Sequence, residues 1–426
     1  MTVGKTKAEL DQVLGLSKAD FQLKQVPSAD APQWAESEGK LQHESGGYFS
    51  CVGISSATSE HIMLYQPQSA ITGLLRARHE DGERYLLQAR AEPGCINSAQ
   101  FGPTVQSTPA NIQRAHGGSA PPFIERFMEG SVLDALVDDT SQLDLGERYL
   151  HKCKRSILLE TEQCELEDQN YVWATVPALL EGLATSTFFN IDLRSILAIS
   201  NWSPHIDELT LGPISTLVVK SLQKEVREQL LGSIIKSIAA GSDTCVQLLP
   251  IDQLKNWSRT KMGWQEIEHS RGYAVEFYSV KANFREINSW VQPLINSQNT
   301  GEAVLACRVR QGSLELFVKP MRESGIRAGV LGPSHIRYPG SAIDRPDWLE
   351  TTARTQWIST LESDEGGRFF QDATHYRLVW VEEGCDIDEQ GYWISVAELK
   401  ALLRISNTAS IQLRALASLL LAAPDE

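Results

Sequence analysis

Positive charge is in deficit in this sequence. Over 426 residues, 39 lysines and arginines face 54 aspartates and glutamates, a formal net charge of −15. Broad binding to nucleic acid or anionic membrane needs a basic surface, so both are excluded as partners. An anionic small ligand needs only a local cluster of arginines and stays open. Long apolar runs are also missing. None approaches the ~18 residues of a membrane span, and the opening MTVGKTKAELDQVLGL has no hydrophobic signal core. Cysteine is sparse and scattered, at Cys51, Cys95, Cys153, Cys164, Cys245, Cys307 and Cys385. An odd, dispersed set without metal-knuckle spacing suits a reducing, cytoplasmic compartment. No group of His, Cys, Asp or Glu has metal-ligand spacing, and neither metal nor cofactor is expected.

What remains is an ordinary globular composition, long enough for two or three domains. The most distinctive stretch is Gln88–Gly118, QARAEPGCINSAQFGPTVQSTPANIQRAHGG. It leaves a strand and breaks at Pro93-Gly94, Gly102-Pro103 and Pro109. Loops beyond ~12–15 residues are uncommon in compact domains and are usually functional or disordered. Interleaved Ile96, Phe101, Val105 and Ile112 favour an ordered loop. Before it, Asp81-Gly82 separates two alternating runs, a hairpin signal that puts Arg76 with Arg78 and Gln88 with Arg90 on common faces. Helical spacing over Ile214–Ala240 predicts one long amphipathic helix, either docked between domains or at a dimer interface, or simply core. Thr175–Ser200 reads as two helices parted near Asn190.

The second half retells the first. Val26-Pro27 and Trp34 match Leu249-Pro250 and Trp257, and Gln66-Pro67 matches Gln292-Pro293. Gly82 matches Gly312, Glu92 and Gly94 match Glu323 and Gly325, and residues 101–104 match 331–334. Trp173, Ile191, Leu193 and Arg194 match Trp393, Ile411, Leu413 and Arg414. His43 and His269 also match, which favours a structural role for both. Two copies imply a duplicated α+β domain, each copy a mixed β-sheet flanked by helices. The expected layout is an arm at 1–20, copies at 21–200 and 245–426, and a linker with the amphipathic helix at 201–244. The copies have diverged at Thr104–Thr108 against Ser334–Tyr338, and at Asp144–Tyr149 against Glu365–Phe370. One working site in the first copy is the economical reading, with Arg368 contributing if the halves face each other.

Together, Gln66-Pro67, Gln88-Ala89, Glu92-Pro93-Gly94, Pro103–Gln106, Thr108–Asn111 and His116-Gly117 resemble the NDP-hexose 2,3-dehydratases of deoxysugar biosynthesis. In the second copy, Trp290–Asn296 and Glu365–Phe370 do so too. The resemblance implies tandem Nudix-like domains, a homodimer and a nucleotide-linked, dTDP-type, 4-keto-6-deoxyhexose substrate. The glutamate-rich Nudix box is absent from both halves, which argues against pyrophosphate hydrolysis.

Loss of water across C2 and C3 of such a sugar needs a base for the C3 proton, donors for the enolate oxygen and an acid for the departing 2-hydroxyl. His116 is the first catalytic candidate, as a group that titrates near neutrality; otherwise it caps a turn. Glu92 is the second, or else a carboxylate holding the Pro93-Gly94 turn. Arg76, Arg90 and Arg114 can fork onto a diphosphate, or stand solvated. Gln106, Thr108 and Asn111 suit sugar hydroxyls or a carbonyl, or bond to their own turns. Tyr65 stacks on a base or packs in the core. Gln66, Gln88, Thr104 and Arg368 complete the expected substrate set. A catalytically silent nucleotide-sugar-binding protein is the rival reading.

Overall fold

The structure is a computed structural model. It describes residues 4–19, 21–56, 60–80, 82–115, 117–128, 135–162, 166, 168–202, 213–240, 246–267, 273–282, 287–341, 345–352, 356–387 and 390–422. His116, His269, Asp81 and most of the linker after Asn201 lie outside the described residues.

Duplication is visible strand for strand. In the first half the large sheet runs Leu136–Leu143, Cys153–Glu160, Ala70–His79, Gly82–Ala91 and Tyr171–Thr175. In the second it runs Gln356–Ser363, Ala373–Trp380, Gly301–Arg310, Ser313–Met321 and Tyr392–Ile394. Both sheets have the same parallel pair and the same register shift in the outer strand. Even a single hydroxyl repeats. Thr104 Oγ1 accepts from Leu75 N and donates to Leu86 O, as Ser334 Oγ does with Ala306 N and Phe317 O. Buried backbone groups must be satisfied, so this position keeps a hydroxyl in both copies.

The long loop is ordered. Ala99–Gly102 returns to pair with Gly82–Ala91, and Val105–Ser107 pairs with Ala70–His79. Each half, however, builds two sheets rather than one. The smaller sheets are Trp34–Ser37, Lys40–His43, Ser50–Ser55, Glu60–Tyr65 and Tyr149–Leu150, and Trp257–Arg259, Gly263–Glu266, Ala274–Ala282, Ser289–Asn296 and Phe369–Phe370. Neither is completed by its own half. Phe21–Val26 joins Ala274–Ala282, and Gln247–Leu249 joins Ser50–Ser55, so the halves exchange their first strands.

Register corrects two sequence matches. Tyr149 and Phe369 pair with Leu64 and Ile295, which puts Ser297, not Gln292, opposite Gln66. Gln42 and Gln265 pair with Ser50 and Ala274, which puts Glu266, not His269, opposite His43. Isolated identities mislead where strands differ in length.

Two caps close the first-half helices. The Thr175 side chain accepts from Ala178 N, and Asn190 Oδ1 accepts from Leu193 N, starting Val176–Ala184 and Ile191–Ile199 on either side of the expected break. The second half repeats them with Ser395 and Ser410. Helices Ile191–Ile199 and Ile411–Leu419 are buried along their whole length and pack on each other. The N-terminal arm is a helix, Lys7–Ala19, docked through Leu10, Leu14 and the Ser17–Asn170 hydrogen bond.

The long helix expected over Ile214–Ala240 is two, Pro213–Leu222 and Glu228–Ala240. Tertiary bonds win over periodicity here. Arg227 gives its backbone N–H and its guanidinium to Glu398, and Ser221 Oγ donates to Leu314 O while accepting from Val396 N.

Across the interface Arg194 meets Glu362 at 2.6 Å, both side chains 1 % exposed. Burial alone pushes the Glu362 carboxyl up to about 7 against the pull of Arg194. Removing one partner of a buried pair strands the other charge. Arg194→Ala should therefore cost ~3–5 kcal/mol in urea unfolding. A loss below ~1 kcal/mol would mean the interface does not depend on this pair.

Candidate active site

The halves meet at two glycine turns. Gly94 N donates to Gly366 O at 2.7 Å, and Gln371 N donates to Gly94 O at 2.8 Å. The mirror contact has Gly325 N on Gly146 O at 2.6 Å and His151 N on Gly325 O at 2.8 Å. A Cβ on Gly94 would lie 1.6 Å from Phe369 O, and one on Gly325 would lie 1.9 Å from Tyr149 O. Only glycine permits that backbone approach.

The first contact closes a cleft of about 1130 Å³, its open mouth included. The first half supplies Gln66, Arg90, Glu92, Gln106, Thr108, Asn111 and the pair Lys152 and Lys154; the second supplies Trp290, Gln292, Glu365 and Arg368. Trp34, His43, Tyr48, Phe49 and Tyr149 form an aromatic wall. Strand geometry explains the lysines: residues two apart share a face. Helix capping fixes the amide, since Asn190 Nδ2 donates to Gln106 Oε1 at 2.9 Å.

The charges divide into paired and unpaired. Lys154 Nζ lies 2.9 Å from Asp192 and 3.1 Å from Asp144; burial opposes its charge, but the two carboxylates outweigh it and hold it protonated. Lys152 Nζ instead donates to Gln66 Oε1 and Gln68 O, both neutral, at 3.2 and 3.1 Å. Burial, with Lys154 and Arg368 adding to it and Asp144 opposing, brings its ammonium down to about 8. Arg368 lies over the Phe49 ring at 4.4 Å and donates to Gly367 O, with no carboxylate partner among the described residues.

Besides Asp144, two carboxyls face this group. Arg90 Nε reaches Glu92 Oε1 at 3.3 Å. Glu365 Oε2 accepts from Tyr149 Oη at 2.8 Å and Oε1 accepts from Gly367 N at 3.0 Å. Burial raises the Glu365 carboxyl, Lys154 and Arg368 lower it, and Glu92 and Asp144 raise it again, for a net upward shift. His43 Nδ1 accepts from Ser45 N, leaving the proton of the neutral ring on Nε2. Burial lowers its pKa, with Glu44 opposing.

A family model of NDP-hexose 2,3-dehydratases matches residues 14–199 and 229–420. The chain belongs to this family. Among curated relatives is a dTDP-4-dehydro-6-deoxy-alpha-D-glucopyranose 2,3-dehydratase of Streptomyces violaceoruber, 27 % identical over 95 % of this chain and 94 % of that protein. Enzymes of the same name from Amycolatopsis orientalis and Saccharopolyspora spinosa are 27 % and 26 % identical, over 93 % and 94 % of this chain and 86 % and 88 % of theirs.

In this member of the NDP-hexose 2,3-dehydratases the cleft gathers Gln66, Arg90, Glu92, Gln106, Thr108, Asn111 and Arg368 of the expected residues. Others stand elsewhere, for identifiable reasons. Tyr65 is next to Gln66 on a strand and so points the other way, packing with Val52, Ile54, Met63 and Leu150. Arg76 is buried against Glu83 and Glu160. Gln88 sits behind Arg90, accepting from its guanidinium at 3.0 Å. Thr104 is spent on the backbone, and Arg114 is exposed at a left-handed turn, φ 55°. His43, expected to be structural, lines the cleft. Tyr149, Lys152, Lys154, Asp144 and Glu365 were not expected there. The signal for the lysines was a change of charge: once Gly146 is aligned with Gly366, Lys152 stands opposite the acid Asp372 and Lys154 opposite the neutral Thr374.

Gly94→Ala must part the two turns. It should cost ~1–3 kcal/mol in thermal or urea unfolding, as overpacking does. Gly232→Ala, in open helix with nothing within 4 Å of the added carbon, should be neutral or stabilising by up to ~1 kcal/mol. Equal effects at the two glycines would refute the close-approach argument.

Proposed function

We propose that this chain removes water across C2 and C3 of a dTDP-linked 4-keto-6-deoxyhexose, as a carbon–oxygen lyase of deoxysugar biosynthesis. The observation that carries the reading is one cleft in which carboxyls stand beside cations that form no ion pair among the described residues. An anionic nucleotide sugar meets Arg368 and Lys152, and the aromatic wall of Trp34, Tyr48 and Trp290 offers faces for its base. Glu92, oriented by Arg90, is placed to take the C3 proton, which the 4-ketone acidifies. The Gln66 and Gln106 amides supply hydrogen bonds to the enolate oxygen. His116 remains a catalytic candidate on the family resemblance. That resemblance also supports Nudix-like modules at 21–200 and 245–426 and a homodimer, and the scattered cysteines, free where described, suit a cytoplasmic setting.

Incubation with dTDP-4-keto-6-deoxyglucose should yield a product lighter by one water in mass spectrometry. Glu92→Gln should slow turnover ~100- to 10,000-fold, as the loss of a general base does. Binding of the sugar nucleotide without loss of water would favour a silent binding protein instead.

The Lys152 ammonium is charged below about pH 8 and neutral above it, so attraction for a diphosphate is present at lower pH and lost as pH rises through that value. Calorimetric affinity for dTDP should fall about tenfold between about pH 7 and about pH 9, the worth of one charge-assisted contact. Lys152→Met should bind weakly with a flat profile. An unchanged pH dependence in that variant would remove Lys152 from the binding role.

A further inference from the structure

Glu365 is an expensive residue where it stands. Its side chain is half-buried in the cleft wall and bonded to Tyr149 and Gly367 N, and an acid drawn out of water is costly unless something compensates it. The duplicated fold shows that the architecture does not require it. Gly366 corresponds to Gly146 and Phe369 to Tyr149, because each pair occupies the same place in its reciprocal turn contact. Glu365 therefore corresponds to Leu145, which packs in the apolar core at 2 % exposure. Its hydrogen-bond donor Tyr149 corresponds to Phe369. One side of the pseudo-twofold has an apolar Leu–Phe couple. The other has a carboxyl and a phenol bonded at 2.8 Å and bordering the cleft, opposite Glu92. The polar couple borders the cleft beside Lys152 and Arg368, which form no ion pair among the described residues.

Resting on the dehydratase reading, we propose that Glu365, supplied by the second copy and oriented by Tyr149 and Gly367 N–H, is the acid that protonates the departing 2-hydroxyl. The C3–H electrons form the C2–C3 double bond as the C3 proton passes to Glu92. The C2–O bond breaks, its electrons take the Glu365 proton, and water leaves. The enol at C3 then becomes a ketone: C2 regains a proton from Glu92 and the enol O–H proton returns to Glu365, so both carboxyls end as they began. Tyr149 is a positioning residue.

The test compares the natural 2-hydroxyl substrate with its 2-deoxy-2-fluoro analogue, since fluoride leaves without being protonated. In Glu365→Gln, water loss should fall ~100- to 10,000-fold while fluoride release stays within about threefold of wild type. Calorimetric affinity for dTDP should be unchanged. Equal losses on both substrates, or no loss on either, overturn the assignment. Should the variant not fold, the unmodified enzyme decides. At saturating substrate, where the bound diphosphate keeps Lys152 charged, its pH profile should show a basic limb with the hydroxyl substrate that is missing with the fluoro substrate; identical profiles sink the proposal. The titratable and charged groups that face Glu365 are Tyr149, Lys152, Lys154, Arg368, Glu92 and Asp144. Failure of wild type to release either water or fluoride would count against the dehydratase reading itself, not against the role of Glu365.

Discussion

The structure depends on how closely two turns can approach. Gly94 and Gly325 each press a bare backbone against a carbonyl of the opposite half. Those contacts lock the halves in reciprocal register, together with the exchanged strands Phe21–Val26 and Gln247–Leu249. A site assembled this way cannot belong to one copy. Glu92 leaves its strand directly before the Gly94 turn, and Glu365 precedes the Gly366 turn that receives it. Bringing the turns together therefore brings the two acids together. Precision here comes from packed backbone, which is bistable or fixed and rarely in between.

Duplication gave the molecule two such arrangements, and later changes made them unlike. Arg368 and Arg148 are counterparts, each over an aromatic ring, Phe49 or Tyr273, at 4.4 and 4.3 Å. Yet Arg148 is held at 2.7 Å by Asp372 and also donates to Ser297 and Pro339 O. Arg368 has no such anion among the described residues, because Lys152 stands where Asp372 would. A buried ion pair satisfies itself and leaves nothing for a ligand. Exchanging one acid for one lysine turns a filled, neutral position into a cationic one. The same asymmetry sets Glu365–Tyr149 against Leu145–Phe369.

Much of this was legible in the residues. Repeated glycines, tryptophans and the Glu-x-Gly turns announced the duplication, and Gly82 and Asn190 marked a hairpin and a break between helices. The first-copy polar residues of the cleft, Glu92, Gln106, Thr108 and Asn111, were legible because they cluster in one turn-rich loop. Lys152, Lys154 and Tyr149 were not, because they lie in and between the strands Tyr149–Leu150 and Cys153–Glu160 of two different sheets, and no local pattern ties them to that loop. Arg76 misled for the opposite reason: its strand neighbours were legible, but its partner Glu160 is on another strand. The break between Leu222 and Glu228 was invisible as well, since Glu398, far along the chain, imposes it.

Net charge alone would set this acidic chain against an anionic ligand, but averages do not act at a site. Most buried cations here are already neutralised: Lys154 by Asp144 and Asp192, Arg148 by Asp372, Arg194 by Glu362. Only cations left without carboxylates present a field that a ligand can feel at short range, and in a low-dielectric wall that field is weakly screened. Lys152 and Arg368 are of this kind, and they border one cleft with Glu92 and Glu365. A ligand that brings its own negative charge would complete the balance there, holding Lys152 protonated on binding. Arg368 also opposes the upward shift that burial gives the Glu365 carboxyl beside it. Substrate charge and the proton inventory of the site are thus coupled through the same few side chains.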